Sequence, residues 1–315
     1  MASINSTPTT NAGLKGLNEM INPLILGART IDKGQIRVIP NVNDAVEVSR
    51  FTVAVDELEA PVATPSTAND SMTKDSVTIT TGEAMFYDTF NPLRDFDEDW
   101  SYLWQVGKMT DAEYNSLVRQ NIQSEVIKSI RNNVEKLIWE GDTASSLAYL
   151  NRFDGFIKLI EADSTVNEAA GTPAVLTASN IIAKMRAVIN AQIEPVLENP
   201  NTTFLMNVND FYKYAEALGD ETIFKGTDIP NGPVARFGGF PIVTVGIPEN
   251  HMVLTNTGTG RDSNLAAAAW MDADINSFKI DRLQSNSELF FVKALFKMGV
   301  NFMYGDQIAY YKPTA

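Results

Sequence analysis

From Thr110 to Gly141 the sequence reads TDAEYNSLVRQNIQSEVIKSIRNNVEKLIWEG, with no proline and no glycine before its last position. Tyr114, Val118, Ile122, Val126, Ile130, Val134 and Ile138 recur every four residues, and Leu117, Ile127 and Leu137 widen the stripe. That periodicity predicts one long amphipathic helix. Thr110 and Glu113 have capping-box spacing, and Gly141 stands where a left-handed C-cap is expected. About thirty residues at ~1.5 Å each make a rod of roughly 45 Å. A strict four-residue spacing drifts around the helix axis, whereas a coiled coil repeats about every 3.5 residues. The pattern therefore suits a single helix lying across a sheet. It carries no catalytic group, so it reads as a mechanical spine.

The rest of the chain must give that spine something to lie on. At 315 residues, with 44% hydrophobic and 20% charged residues, the sequence can bury a substantial core. Its longest apolar runs, such as LAAAAWM, are far too short to span a membrane. The opening MASINSTPTTNAG has neither the basic nor the apolar region of a secretory signal. Cysteine is absent, which removes disulfides, thiolate catalysis and zinc–thiolate sites and fits a reducing compartment. The net charge of −14 argues against a basic groove for nucleic acid, since phosphate contacts need clustered Lys and Arg. It is compatible with a wall that encloses nucleic acid without holding it.

Along the chain, residues 1–28 read as a polar arm with a weakly amphipathic end. IRVIP, VEVSRFTVAV and SVTITT then alternate apolar and polar residues as short strands. DELEAPVATPSTANDSMTKD, between the last two, is too polar to bury itself, so these strands form a long two-stranded excursion that needs a partner surface. After the spine, LNRFDGFIKLI reads as a turn and a short strand. A helix opening at Thr177 carries Ile181, Ile182, Met185, Val188 and Ile189 on one face. TTFLMN is a strand, Asn209 caps a third helix closed by Gly219, and FGGF is a tight strand entry in which glycine tolerates positive φ. HMVLTN, NSFKIDRL and the long apolar run from Glu288 to Lys312 complete an α+β chain, the last run lying under the spine.

Catalytic readings fail on their residue requirements. G-x-S-x-G, H-E-x-x-H and Walker loops are absent. The sole histidine, His251, has no second imidazole for a metal pair and reads as a capping residue before a strand. The glycines of GTGRD open no helix that would bind phosphate. Asp95, Asp97 and Asp99 imitate the first half of a calcium loop, but Trp100 replaces the required glycine and Val106 the closing carboxylate. They read as an acidic turn at solvent or at a subunit junction. The aromatic tail from Phe290 to Tyr311 lacks the basic companions of a base-stacking platform and reads as core.

The order of these parts resembles the major capsid proteins of tailed phages, the Hong Kong 97-type fold. WEGDTASSLAYLNRFDGFIKLI resembles the family's segment after the spine, and SNIIAKMRAVINAQI with TTFLMNVNDFYKYAEAL its paired helices around a strand ending in asparagine. FGGFPIVTVGIP is similar to its short Gly-x-Pro strand, and FVKALFKMGVNFMYGDQIAYYKP to its closing strand. The resemblance implies an N-terminal arm over 1–34 and an E-loop over 35–90 that lies on a neighbouring subunit. It implies a peripheral domain over 91–154, with the spine at 110–141, and over 275–315. An axial domain then covers 155–274.

The same resemblance implies a non-catalytic protein without cofactors. It would assemble with itself into hexamers and pentamers of an icosahedral shell around double-stranded DNA, without sequence-specific binding and without a membrane. Portal, scaffolding and decoration proteins are the implied partners, the virion the location and the host cytoplasm the place of assembly. Candidate assembly contacts are Arg50, Lys74, Asp95, Asp97, Asp99 and Arg119. Some members form a Lys–Asn crosslink assisted by a Glu. Lys74 remains available here, but Ala294 and Asn301 stand where the Asn and Glu belong, so a non-crosslinked shell is expected. No long charged helical segment precedes the arm, so any scaffold is expected as a separate protein. An encapsulin-like compartment shell is the nearest alternative. An acidic α/β hydrolase or sugar-binding module is the alternative from another class.

Overall fold

The computed structural model describes residues 27–53, 72–91, 111–220, 236–270, 278–284 and 289–313, with the side chains of the spine described from Ser124 onward. A short helix α1 (Arg29–Asp32) leads into β1 (Arg37–Pro40), then β2 (Ala45–Val53), β3 (Met72–Thr80) and β4 (Gly82–Phe90). The spine is α2 (Asp111–Glu140). After it come α3 (Phe156–Ala162), β5 (Asn167–Glu168), α4 (Ile181–Ala191), α5 (Glu194–Leu197), β6 (Thr202–Met206) and α6 (Val208–Asp220). The remaining strands are β7 (Arg236–Phe237), β8 (Phe240–Thr244), β9 (Met252–Asn256), β10 (Leu265–Trp270), β11 (Phe278–Arg282), β12 (Phe290–Phe302) and β13 (Ala309–Tyr311).

The thirteen-residue β12 organises the first sheet. β10 and β11 pair with successive parts of it, β4 pairs with Phe290–Met298 on its other side, and β1 joins β10 in parallel. Alternate side chains of a strand face opposite ways. Ala294, Phe296, Met298, Val300 and Phe302 accordingly turn into one core with Ile130, Val134, Leu137 and Ile138 of the spine. The expectation that the closing run lies under the spine holds for this strand. A second sheet, ordered β5-β13-β9-β6-β8-β7, is covered on both faces. Leu205, Val253 and Tyr310 enter the spine core, while Phe204, Met206, Met252, Leu254 and Tyr311 pack on Ile181, Met185 and Val188 of α4 and Tyr214 and Ala217 of α6. The wholly buried β6 and β9 are apolar or threonine-rich throughout for this reason.

Several local expectations are corrected. FIKLI is helix rather than strand: Gly155 enters in extended conformation and Phe156 and Ile160 are buried one turn apart. Five residues are too few to separate the two periods when Ile and Leu fill both faces. The helix expected from Thr177 starts at Ile181, because Asn180 folds back on the preceding turn, accepting the Thr177 N–H and donating to the Val175 carbonyl. Asn207, not Asn209, caps α6 by accepting the Asn209 N–H at 2.9 Å, and the helix continues through Gly219 to Asp220. Gly141 is not left-handed. Its hydrogen atom is required because a Cβ there would lie 2.4 Å from the Phe153 carbonyl oxygen, where the chain returns past the spine. The Thr110 cap lies outside the described residues. Gly238 and Gly239 do take positive φ, at 59° and 94°, in the two-residue turn between β7 and β8.

Sheet membership also departs from the expected boundaries. β1 and β4, expected in the E-loop, and β10, expected in the axial domain, belong to the sheet beneath the spine, while β13 crosses to the second sheet. The excursion proper is the β2–β3 ribbon, paired from Ala45↔Thr80 to Val53↔Met72.

One buried carboxyl joins the spine to two distant segments. Glu135 is 4% exposed. Its Oε2 accepts the Thr30 N–H at 3.0 Å, and its Oε1 accepts the Thr30 hydroxyl at 2.5 Å and the Gly246 N–H at 2.6 Å. Trp139, one turn further on, donates its indole N–H to the same hydroxyl at 2.9 Å, which leaves that hydroxyl's proton for Glu135. Gly246 cannot be larger, because a Cβ would lie 2.1 Å from Glu135 Cγ. Nearby, Lys33 donates to the Thr244 carbonyl and hydroxyl, both at 2.7 Å, and burial, with Arg29 beside it, lowers its amine from the ordinary value. Glu135→Gln puts an NH₂ among N–H and O–H donors. It should destabilise the chain by about 2–4 kcal/mol in chemical denaturation, because a buried donor is left facing donors. An unchanged midpoint would show that the three bonds do not hold these segments.

Candidate assembly surface

The ribbon is fixed at its base and leaves the body along its length. Val46, Val48, Val77 and Ile79 pack on Ala266 and Ala268 of β10 and on Met303. The alanines allow close approach, and Gly299 lets the end of β3 cross β12, since a Cβ there would lie 2.0 Å from the Thr80 carbonyl oxygen. Asn301 donates to the Thr78 carbonyl at 2.9 Å. Further out, Arg50 bonds Asp75 through Nε at 2.9 Å, donates from Nη1 to the Met303 carbonyl at 2.6 Å and lies 5.8 Å over the Tyr304 ring. The Arg50 hydrogen bond, aided by the Ser76 N–H, holds the Asp75 carboxyl below its ordinary value. Beyond this clamp Phe51, Thr73 and Lys74 are exposed.

The face of the first sheet away from the spine is thus half covered by the base of the ribbon. The other half, on β4 and β12, presents exposed apolar side chains that no other described element covers. Met85 and Leu295 sit opposite each other in register, and Tyr87 lies opposite Lys293. Met85 is 60% exposed, Tyr87 51% and Leu295 36%. Tyr87 also stacks on Phe291 at 6.1 Å. Charge frames one end of the strip: Lys297 bonds Glu83 at 2.9 Å and lies 5.6 Å from the Trp270 ring, and the Glu83 bond raises its amine above the ordinary value.

A second exposed element adjoins this strip. Residues 142–154 loop out after the spine and are closed at the base by Lys158, which bonds Asp142 at 2.6 Å and Asp154 at 2.8 Å. Those contacts lower the carboxyls of Asp142 and Asp154 and raise the Lys158 amine. Leu147 and Tyr149 are exposed at the tip. Between loop, spine and β4 runs a groove of about 250 Å³ lined by Met85, Phe86, Ile130, Leu137, Tyr149 and Arg152.

The residues expected from sequence fall differently. Arg50 bonds Asp75 and the Met303 carbonyl within its own chain. Lys74 is exposed on the ribbon opposite Phe51. Asp95, Asp97 and Asp99 lie outside the described residues, as does the side chain of Arg119. Ala294 is fully buried between β4 and β11, and Asn301 donates to the Thr78 carbonyl at the base of the ribbon. His251 caps its turn through Nδ1 and the Glu249 carbonyl at 2.9 Å. No group of three or more metal-ligating side chains occurs among the described residues, nor does any helix there have the length and apolarity to cross a membrane. Met85, Tyr87 and Leu295 escaped the sequence reading. The signal was the run Ala-Met-Phe-Tyr in β4, which is apolar on both faces of a strand that the described residues cover on only one.

No protein-family model and no curated protein matches the sequence. Solved structures do match. A chain of the satellite phage P4 procapsid that includes the size determination (Sid) protein is similar over 99% of this chain and 93% of its own, with TM-score 0.59 at 12% identity. The capsid of an empty GTA particle matches over 91% and 97%, with TM-score 0.58 at 14% identity, and Gordonia phage Cozz over 89% and 85%, with TM-score 0.54 at 12% identity. The chain therefore has a tailed-phage major capsid protein fold, shared with these capsid chains along nearly its whole length.

Proposed function

We propose that this chain is the major capsid protein of a tailed double-stranded DNA phage. The reading rests on the exposed apolar strip of Met85, Tyr87 and Leu295, carried on a fold shared along nearly its whole length with capsid chains. A strip of that kind beside a clamped, outreaching ribbon is unfinished in one copy and complete when a neighbour covers it. Full burial of an exposed side chain contributes about 1.5–3 kcal/mol, so covering the exposed parts of these three adds roughly 0.5–2 kcal/mol each. Repetition around hexamers and pentamers then adds modest contacts into a stable icosahedral shell. In this reading residues 1–34 are the arm, the ribbon is the E-loop lying on a neighbour, and the second sheet with α4 and α6 forms the axial domain.

The protein is structural, without cofactor or catalysis, and its net charge of −14 lets it enclose DNA without binding sequence. Portal, scaffolding and decoration proteins are its partners, and it is built into virions in the host cytoplasm. The shell is held without covalent bonds, because Ala294 stands in place of the crosslinking Asn and the Asn301 amide in place of the assisting carboxyl.

Negative-stain images of the purified chain, expressed with its neighbouring genes, should show closed particles containing DNA. A lone small oligomer on a sizing column would overturn the reading. The double substitution Met85→Glu, Leu295→Glu should abolish particles while leaving circular dichroism and the melting temperature of the unassembled chain near wild type; normal particles would remove the strip from the interface. Boiling particles in detergent should release a single band at 34.6 kDa, and a ladder of covalent oligomers would contradict the non-crosslinked shell.

A further inference from the structure

Between β12 and β13 the chain leaves the first sheet for the second, and Met303 and Tyr304 begin that crossover. The Met303 carbonyl and the Tyr304 N–H belong to one peptide group, which is planar and turns as a unit. Side chains from two different parts of the fold hold its two ends. Arg50 of the ribbon donates from Nη1 to the oxygen at 2.6 Å. Asn264, directly before β10, accepts the N–H through Oδ1 at 2.7 Å. A donor on the oxygen polarises the N–H of the same group, so each bond strengthens the other.

Asn264 is 2% exposed, and its amide is used in full. Oδ1 also accepts the Met303 N–H at 3.1 Å, while Nδ2 donates to the Tyr304 carbonyl at 2.9 Å and to the Thr255 hydroxyl at 3.0 Å. Thr255 lies in β9, so this one amide ties the crossover to the second sheet. The Thr255 hydroxyl donates onward to the Gln307 carbonyl at 3.0 Å, an oxygen that also receives Nε2 of Gln192, the residue ending α4, at 3.1 Å. On the ribbon side the Arg50 guanidinium lies over the Tyr304 ring, and the Tyr304 hydroxyl reaches the Phe51 carbonyl at 3.4 Å. The base of the ribbon is already attached by Val46, Val48, Val77 and Ile79. The Arg50 bond therefore adds direction rather than attachment.

We propose that the Met303–Tyr304 peptide is a latch that couples the position of the ribbon to the joint between the two sheets. With Arg50 seated, the peptide plane is fixed and presents its N–H to Asn264. When the outer ribbon is displaced, the Met303 oxygen loses its donor and the plane is free to turn. Turning withdraws the N–H from a buried acceptor, and the loss passes through Asn264 to Thr255, Gln307 and Gln192. Coupling of this kind is reciprocal, so loosening the joint also loosens the ribbon. A contact made on the outreaching part of the chain is thereby felt at the end of α4.

The test is hydrogen exchange resolved to single amides on the dilute full-length chain, with spine amides 130–138 as the remote control. The reporters are the Met303, Tyr304 and Asn264 amides, the first bonded to the Asn264 carbonyl at 2.9 Å and the last to the Asn256 carbonyl at 3.0 Å. Arg50→Met keeps the side-chain stem on an exposed ribbon and removes the guanidinium. It should speed exchange of these reporters by roughly three- to tenfold relative to the spine. Asp75→Asn leaves the Met303 bond in place and should leave them at wild-type rates. Thr255→Val removes the anchoring hydroxyl with little change of shape, and should speed exchange of the paired amides of β2 and β3. Reporters unmoved by Arg50→Met, or a ribbon unmoved by Thr255→Val, overturn the latch. Equal acceleration by Asp75→Asn also overturns it, since any loosening of the ribbon would then suffice. None of these outcomes depends on whether the chain forms shells.

Discussion

Everything in this molecule is hung from the inner end of one helix, and the bond that fixes it there is made by a carboxyl group out of contact with water. Glu135 receives N–H and O–H groups from Thr30 and Gly246, which lie 105 and 111 residues away in sequence. Burying a carboxyl is costly unless its oxygens are satisfied, and losing a donor is costlier than any single bond is stabilising. The three elements are thereby positioned together: the spine, the short helix α1 that carries Thr30, and the turn after β8. A purely apolar contact would allow them to slide. Donors set at 2.5–3.0 Å around two oxygens do not. Trp139 adds the second constraint, since its ring fills the core beside Phe156 while its N–H commits the Thr30 hydroxyl to Glu135.

Around this point, glycine and alanine determine how closely backbones cross. Gly141 and Gly155 let the chain turn back beside the spine, their backbones bonded at 2.8 Å. Gly299 and the alanines of β10 let the ribbon lie on the sheet. The same residues divide the sheet's outer face. Where Ala266 and Ala268 stand, the chain covers itself. Where Met85, Tyr87 and Leu295 stand, no other described element does so. Large side chains stand on the exposed half and small ones under the ribbon: bulk is withheld where another segment of the chain crosses closely.

The sequence displayed the parts of this fold that repeat. Twenty-odd residues of four-spaced aliphatics marked the spine, alternation marked β2 and β3, and the glycine pair marked the β7–β8 turn. Parts that depend on a single meeting were hidden. FIKLI is too short and too uniformly apolar for its period to show. Glu135 looks like any exposed helical glutamate until Thr30 and Gly246 arrive. Gly141 was noticed at the right place for the wrong reason, because a helix-ending glycine and a close-packing glycine look identical in one dimension. The sheet boundaries were misplaced for a related cause: LAAAAW and IRVIP are apolar enough for either sheet, and only their partners decide. Of the surface, Arg50 was legible as a charge but not as an internal clamp. The strip on β4 was visible only as a strand with too few polar residues for its position.

That last point bears on why the same architecture recurs at 12–14% identity. The requirements placed on the chain are geometric and largely indifferent to residue name: a helix stiff enough to span a sheet, a strand long enough to be shared by three others, and crossing points without side chains. Many sequences satisfy them. The identity of each residue matters most where two segments meet at one atom, as at Glu135. A chain built this way conserves its shape by constraining few positions severely and the rest only by size and polarity.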